Sequence, residues 1–410
     1  MTEHDGQLQE EAAVVQTPEG TQDVVPVAEQ VQEAVSAPTQ ETVSAAEAAP
    51  AQEAPPVTAD VPVQESVQTT DSDPAIDKAE RVKNARRSFS RMGLGLALMG
   101  IITFGLSILA SVVLSLADDT LLTENTWLAY AIQYGAMYLI GFPVLLAFTL
   151  RLPHIKGKDR EKKSLGTGMF VAILCVCFLT VVIGAFASTF INNILSDAFG
   201  LDVSNLLTDA MLGMEWYTRI ILAVVIAPLM EELIFRKLLI DRMRLYGERI
   251  AVITSGLMFG LFHGNLSQVV YAALLGFIFG YVYLRTGKLR YTIALHFIIN
   301  GLSTLQATLL SSLDPEAMQM MLQSDIPDPE KIMSLFSPAL VGIALISVLQ
   351  YGLAIAGIVM FIIHIRKVHF NKAVQELPFG RRFITVWLNP GMLVFLVVVI
   401  AEFIMSYMIN

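Results

Sequence analysis

The chain has 410 residues, with 27 Lys+Arg against 37 Asp+Glu and a formal net charge of −10. Hydrophobic residues make up 54% and charged residues only 16%, against about 25% charged in ordinary soluble domains; this excludes an ordinary soluble globule and points to a membrane protein. The acidity is confined to one end: residues 1–77 hold 16 Asp+Glu and no Lys or Arg, leaving 21 acids and 27 bases, a net of +6, for the rest. Those bases fall in short clusters between apolar runs and form no continuous stripe, which argues against a nucleic-acid partner.

Residues 1–77 repeat Ala, Val, Gln, Glu, Pro and Thr without a helical or strand period and without aromatics. Such a segment cannot bury enough apolar surface to offset its chain entropy, so a disordered acidic tail is expected over 1–85. It lacks the basic and apolar regions of a secretory signal.

A helix needs about 20 apolar residues to cross the hydrocarbon of a bilayer. Runs 92–117, 125–150 and 164–196 contain no charged residue. Run 220–240 is apolar except around Glu231-Glu232 and Arg236-Lys237. Run 250–284 is too long for one span and breaks at His263-Gly264-Asn265, which predicts two short helices joined by a turn inside the bilayer thickness. Runs 291–313, 332–365 and 383–401 complete an expected all-α polytopic bundle of eight to nine spans. Residues 86–163 read as two accessory helices, 164–312 as a catalytic membrane core and 313–410 as C-terminal helices. Cys175 and Cys177 lie in an apolar run and offer neither a disulfide framework nor a CxxC metal site.

Bases occur on every second connection: Lys78 to Arg91 before the first run, Arg151 to Lys163, Arg236 to Arg249, Arg285 to Arg290, and Arg366 to Arg382. The connection after the first run has no base, the one after the third has none up to Arg219, and 314–331 is acidic with only Lys331. By the positive-inside rule the basic loops and the N-terminus are cytoplasmic, and the expected setting is a multi-pass protein of a bacterial plasma membrane.

Titratable residues at membrane depth are costly, and four stand out: Glu231, Glu232, His263 and His296. Glu232 and Arg236 are four apart and share a helical face, so they can pair; Glu231 is turned about 100° away and lacks that partner. Pro228, three residues earlier, removes a backbone hydrogen bond, assigned in α-helical register to the carbonyl of Val224. Phe259-xxx-His263 reaches the submerged turn, with Ser255, Gly256 and Gly260 small enough for close helix approach. His296 and Asn300 share a face of the next run and can both donate hydrogen bonds. Taken singly, each group also suits a packing role: an ion network, a helix cap, or interhelical hydrogen bonding. A proton relay in a transporter is a further alternative, though no internal repeat supports it.

The ordered set Glu231-Glu232-xxx-Arg236, Phe259-xxx-His263 and His296-xxx-Asn300 resembles the CPBP family of intramembrane proteases, which includes CAAX prenyl-protein endopeptidases and bacterial proteins linked to bacteriocin immunity. The resemblance covers roughly 165–312. It implies that Glu231, backed by His263, activates a water that attacks a peptide carbonyl, with His296 and Asn300 donating to the oxyanion. Arg236 would hold Glu232 in place, with Phe259 as structural support. Family members have been described both as metalloproteases and as glutamate-dependent enzymes; if zinc takes part, Glu231, His263 and His296 are its candidate ligands. The implied substrate is a membrane-associated or lipidated peptide or protein, cleaved near the cytoplasmic face. The rival readings are a non-catalytic scaffold, an immunity or sensing protein, and a proton-coupled transporter.

Overall fold

The computed structural model describes residues 74–118, 120–155, 163–200, 213–313, 337–373 and 375–408. The expected tail lies outside the described residues up to 73. Its last part, 74–85, is instead helical: α1 (Pro74–Ala117) begins there. Proline suits a first helical position because its φ is preset and its missing N–H is not needed. Asp77 and Arg81, one turn apart, then form an ion pair that supports the first turns.

Each expected span forms helix among the described residues. After α1 come α2 (Thr126–Thr149), α3 (Thr167–Phe199), α4 (216–243), α5 (Glu248–Leu261), α6 (Leu266–Thr286), α7 (Leu289–Leu310), α8 (Pro338–Ile365) and α9 (Pro390–Met408). Six of them, α1–α3 and α6–α8, are long and apolar enough to cross a membrane; α9 with the short helix before it makes a seventh, bent by 57°. The two remaining expected spans differ for physical reasons. Helix α4 is too polar, and its ladder is interrupted by π-helical stretches at Ile220–Ile226 and Leu233–Ile240. Helix α5 has only 14 residues, about 21 Å of rise, less than a span needs, and it ends at the expected break around His263.

Local chemistry sets the ends. At the turn between α5 and α6, Gly264 has φ +64°, which a residue without Cβ adopts without strain. Asn265 then caps α6, its side-chain oxygen accepting from the Gln268 N–H at 3.0 Å. The chain reverses tightly here because α5 and α6 pack through glycine: a Cβ on Gly256 would lie 2.2 Å from the Phe277 ring. Phe186, Leu139 and Val348 are among the most exposed side chains, an apolar exterior suited to lipid.

The helix ends that carry basic loops are tied together. Arg242 donates to the carbonyls of Thr149 at 2.6 Å and Leu238 at 2.7 Å. Arg285 pairs with Glu248, and the Asn371 N–H donates to Glu248 at 2.7 Å. At the opposite ends, Arg219 donates to the Met214 carbonyl at 2.8 Å and to Thr308 and Ser311 at 3.3 and 3.1 Å. The bundle therefore has one basic and one largely base-free end.

Candidate active site

The site is built on α4, α5, α6 and α7. In α4 the Ala227 N–H bonds to the Leu222 carbonyl, five residues back. Pro228 follows and has no N–H. The Ala223 carbonyl is thus passed over by Ala227 and left without a donor by Pro228. Asn300 Nδ2 on α7 supplies the missing bond at 2.8 Å. This corrects the α-register assignment to Val224: the π-helical stretch shifts the affected carbonyl by one residue. It also gives Asn300 a structural contact that the sequence did not disclose.

One turn further along α4, Glu232 and Arg236 are both fully buried. Arg236 Nε and Nη2 donate to the two carboxylate oxygens of Glu232 at 3.0 and 3.3 Å, and Nη1 donates to Ser255 Oγ on α5 at 3.2 Å. Ser255 passes the chain on to the Phe235 carbonyl at 2.9 Å. The guanidinium also lies 4.8 Å from the Phe259 ring centroid and 5.7 Å from that of Phe279, a cation–π arrangement favoured out of water. The expected Glu232–Arg236 pair is present, and it joins α4 to α5.

His296 stands between the two carboxylates. Its Nε2 is 3.6 Å from Glu231 Oε2 and its Nδ1 is 3.3 Å from Glu232 Oε1. Nδ1 has no aligned hydrogen-bond partner, so the Glu232 contact is one of proximity and charge. Glu231 keeps 13% of its side chain exposed, against 0% for Glu232; the two neighbouring acids thus occupy different environments, as their helical offset implied.

His263 Nδ1 lies 2.8 Å from the Phe259 carbonyl. A carbonyl only accepts, so Nδ1 carries a proton, and in the neutral ring Nε2 is then the acceptor. The Phe259 ring meets both imidazoles edge-on, with centroids 4.9 Å from His263 and 5.8 Å from His296. Among the described residues, no three His, Cys, Asp or Glu side chains approach closely enough to hold a metal ion. The residues do not fit a three-ligand metal site, and no step is derived through one.

Glu231, His263, His296, Asn300 and Phe259 all line one cavity of about 670 Å³, within the usual range of roughly 300–1,000 Å³ for small-molecule sites. Other lining residues were not singled out in the sequence: Tyr130, Tyr134 and Tyr138 on α2, Gln268 and Tyr271 on α6, and Ser303 and Gln306 on α7. The tyrosines recur every four residues, a stripe of polar-tipped rings that marks an interior face. Glu402 on α9 was also passed over, because it directly follows the apolar run that ends at Ala401. A methyl at Gly100 would sit 2.9 Å from its Oε1, and one at Gly264, beside His263, 3.4 Å from its Oε2.

The lining has a direction. On α7 it runs from His296 to Leu310, about 21 Å of helix, away from the basic end. Toward the basic end, the layer beyond Glu231 and His296 is filled by buried Phe235, Arg236, Ser255, Phe279 and Tyr283.

Comparison with known proteins bears on this geometry. Residues 213–302, which hold α4 to most of α7, match the family model described as type II CAAX prenyl endopeptidase Rce1-like. A Bacillus subtilis (strain 168) protein named "Putative membrane peptidase YdiL" is 25% identical over 182 residues, 43% of this chain and 72% of that protein. No solved structure matches the chain. These matches support the CPBP/CAAX protease family that the motifs resemble, and with it an intramembrane protease in general. With the apolar helices they support a multi-pass integral membrane protein.

Proposed function

We propose that the chain hydrolyses a peptide bond of a membrane-associated substrate with a water activated by Glu231. The observation that carries this reading is the convergence of Glu231, His263, His296 and Asn300 on one cavity, with Glu231 partly exposed to it. Glu231 takes a proton from water while His263 Nε2, an acceptor once Nδ1–H is engaged by Phe259, orients that water. The water oxygen forms a bond to the scissile carbonyl carbon. The resulting oxyanion accepts hydrogen bonds from His296 Nε2 and from the second N–H of Asn300, whose first is held by Ala223. Glu231 then passes its proton to the departing amine as the carbon–nitrogen bond breaks. Glu232, paired with Arg236, lies 3.3 Å from Nδ1 on the far side of the His296 ring.

A library of blocked peptides incubated with the purified protein in lipid tests the assignment. Glu231→Gln should lower turnover by about 10²–10⁴-fold, the usual weight of a general base, while leaving the thermal midpoint unchanged. Chelator should leave cleavage intact, since three metal donors do not converge. Undiminished turnover by Glu231→Gln would refute the assignment. A biological effect that persists in this variant without cleavage would favour a scaffold.

A further inference from the structure

We infer that a second cavity, at the end of the bundle that carries the basic loops, binds the phosphate headgroup of an anionic phospholipid, with the lipid's apolar part resting against the helix that precedes α9. The cavity has a volume of about 160 Å³, about that of five waters in the liquid, room enough for a phosphate group. One wall is residues 246–250, at the turn from α4 into α5. The other is Phe370, Asn371, Lys372, Glu376 and Arg382, from the connection between α8 and α9. Main-chain donors hold the walls together: the Gln375 N–H donates to the Leu245 carbonyl at 3.0 Å, and the Asn371 N–H to Glu248 at 2.7 Å.

The charges around this cavity do not cancel. Both acids in its lining are already engaged: Glu248 pairs with Arg285, and Glu376 accepts from Arg382 at 2.8 Å. Arg249 and Lys372, both exposed, have no carboxylate partner among the described residues. Counting Arg285, four bases thus face two acids, and the surplus is positive. Two of the guanidiniums are held in place. That of Arg249 lies 5.5 Å from the Phe370 ring centroid, a contact that leaves its charge intact. Arg382 donates from Nε to the Leu377 carbonyl at 3.0 Å and lies 5.4 Å from the Phe379 ring centroid. Guanidinium and ammonium donors are suited to phosphate oxygens.

The surface beside Arg382 selects a lipid as the source of that phosphate. The helix Phe379–Trp387 meets α9 at 57°, and its Phe379, Phe383 and Ile384 are 86%, 66% and 52% exposed. Bases set among exposed aromatic and aliphatic side chains on a short helix are the composition of a segment lying in the membrane–water interface. Exposed Leu393, Val397 and Ile400 continue the apolar surface along α9. A soluble phosphate would use the bases alone, whereas a phospholipid uses the bases and the adjoining aromatic surface together.

Native mass spectrometry of the full chain, released from detergent micelles with defined lipid added, tests the assignment without requiring turnover. Phosphatidylglycerol should be retained in preference to phosphatidylcholine with the same acyl chains; equal retention overturns the inference. Each Lys or Arg near an anionic surface is worth about fivefold in binding, so Arg249→Gln/Lys372→Gln should weaken phosphatidylglycerol binding about 25-fold. Arg366→Gln/Lys367→Gln removes the same charge from exposed positions outside the cavity and should leave binding unchanged. Equal weakening by the two pairs would reduce the effect to general surface charge and overturn the site. Lys372→Glu, at an exposed position outside the helices, gives a variant with no packing to lose; binding as tight as that of the unaltered chain overturns the inference. Inorganic phosphate separates the two sources. It should not displace phosphatidylglycerol, and Phe379→Ser/Phe383→Ser should weaken the lipid's binding. Displacement by inorganic phosphate, or unchanged binding by the Phe379→Ser/Phe383→Ser variant, overturns the lipid as the source.

Discussion

Arg236→Met is the most informative single perturbation of the architecture beneath the cavity. Arg236 and Glu232 are both 0% exposed and share two hydrogen bonds. Methionine preserves much of the aliphatic volume between Phe259 and Phe279 but leaves the Glu232 carboxylate buried without its cation. Removing one partner of such a pair costs about 3–5 kcal/mol, between about a hundredfold and a few thousandfold in the folding constant. The double variant Arg236→Met/Glu232→Leu removes both charges together. Because a buried pair replaced by packed apolar groups is often neutral or stabilising, most of the loss should be recovered. The assay is reversible unfolding in mixed micelles, completed as a double-mutant cycle. A single-variant cost below about 1 kcal/mol, or a double variant no more stable than Arg236→Met, would refute the view that uncompensated charge is what the pair prevents. Arg236→Lys should recover only part of the stability, since an ammonium cannot reproduce the fork that reaches Glu232 and Ser255 together.

Other expectations concern the backbone. Asn300→Ala should lower stability by about 1–3 kcal/mol by leaving the Ala223 carbonyl without a donor, and by less in a Pro228→Ala background, where a main-chain N–H becomes available; equal costs in both, measured by the same unfolding assay, would reject the π-register account. Gly256→Ala should cost about 1–3 kcal/mol by overpacking α5 against Phe277, whereas Gly105→Ala, with nothing within 4 Å of its new methyl, should raise stability by up to about 1 kcal/mol; thermal midpoints moving alike would contradict the close approach. Gly264→Ala should be destabilising and slow peptide cleavage together, because a left-handed turn that costs an L-residue about 1–2 kcal/mol positions His263; unchanged midpoint and turnover would show that the turn tolerates a side chain.

The sequence exposed those parts of the molecule that rest on short-range rules. Apolar runs located the helices, and the break at His263-Gly264-Asn265 located the turn between α5 and α6, because both follow from local hydrophobicity and turn chemistry. The separate environments of Glu231 and Glu232 followed from helical geometry: only Glu232 shares a face with Arg236. What the sequence withheld depends on register and depth. A π-helical stretch leaves no compositional mark, so the carbonyl served by Asn300 was assigned one residue too far along. Phe259 was legible as part of a motif, but its contact with both imidazoles is a tertiary fact. The direction of the cavity is the clearest case. Counting residues along a helix does not show which layer of the bundle is filled. Here the layer toward the basic end is filled by the buried Arg236 network, and the cavity beyond it is lined by tyrosine, glutamine and serine. The network that holds Glu232 beside His296 thus also forms the floor of the chamber, so a single change at Arg236 should disturb stability and turnover together.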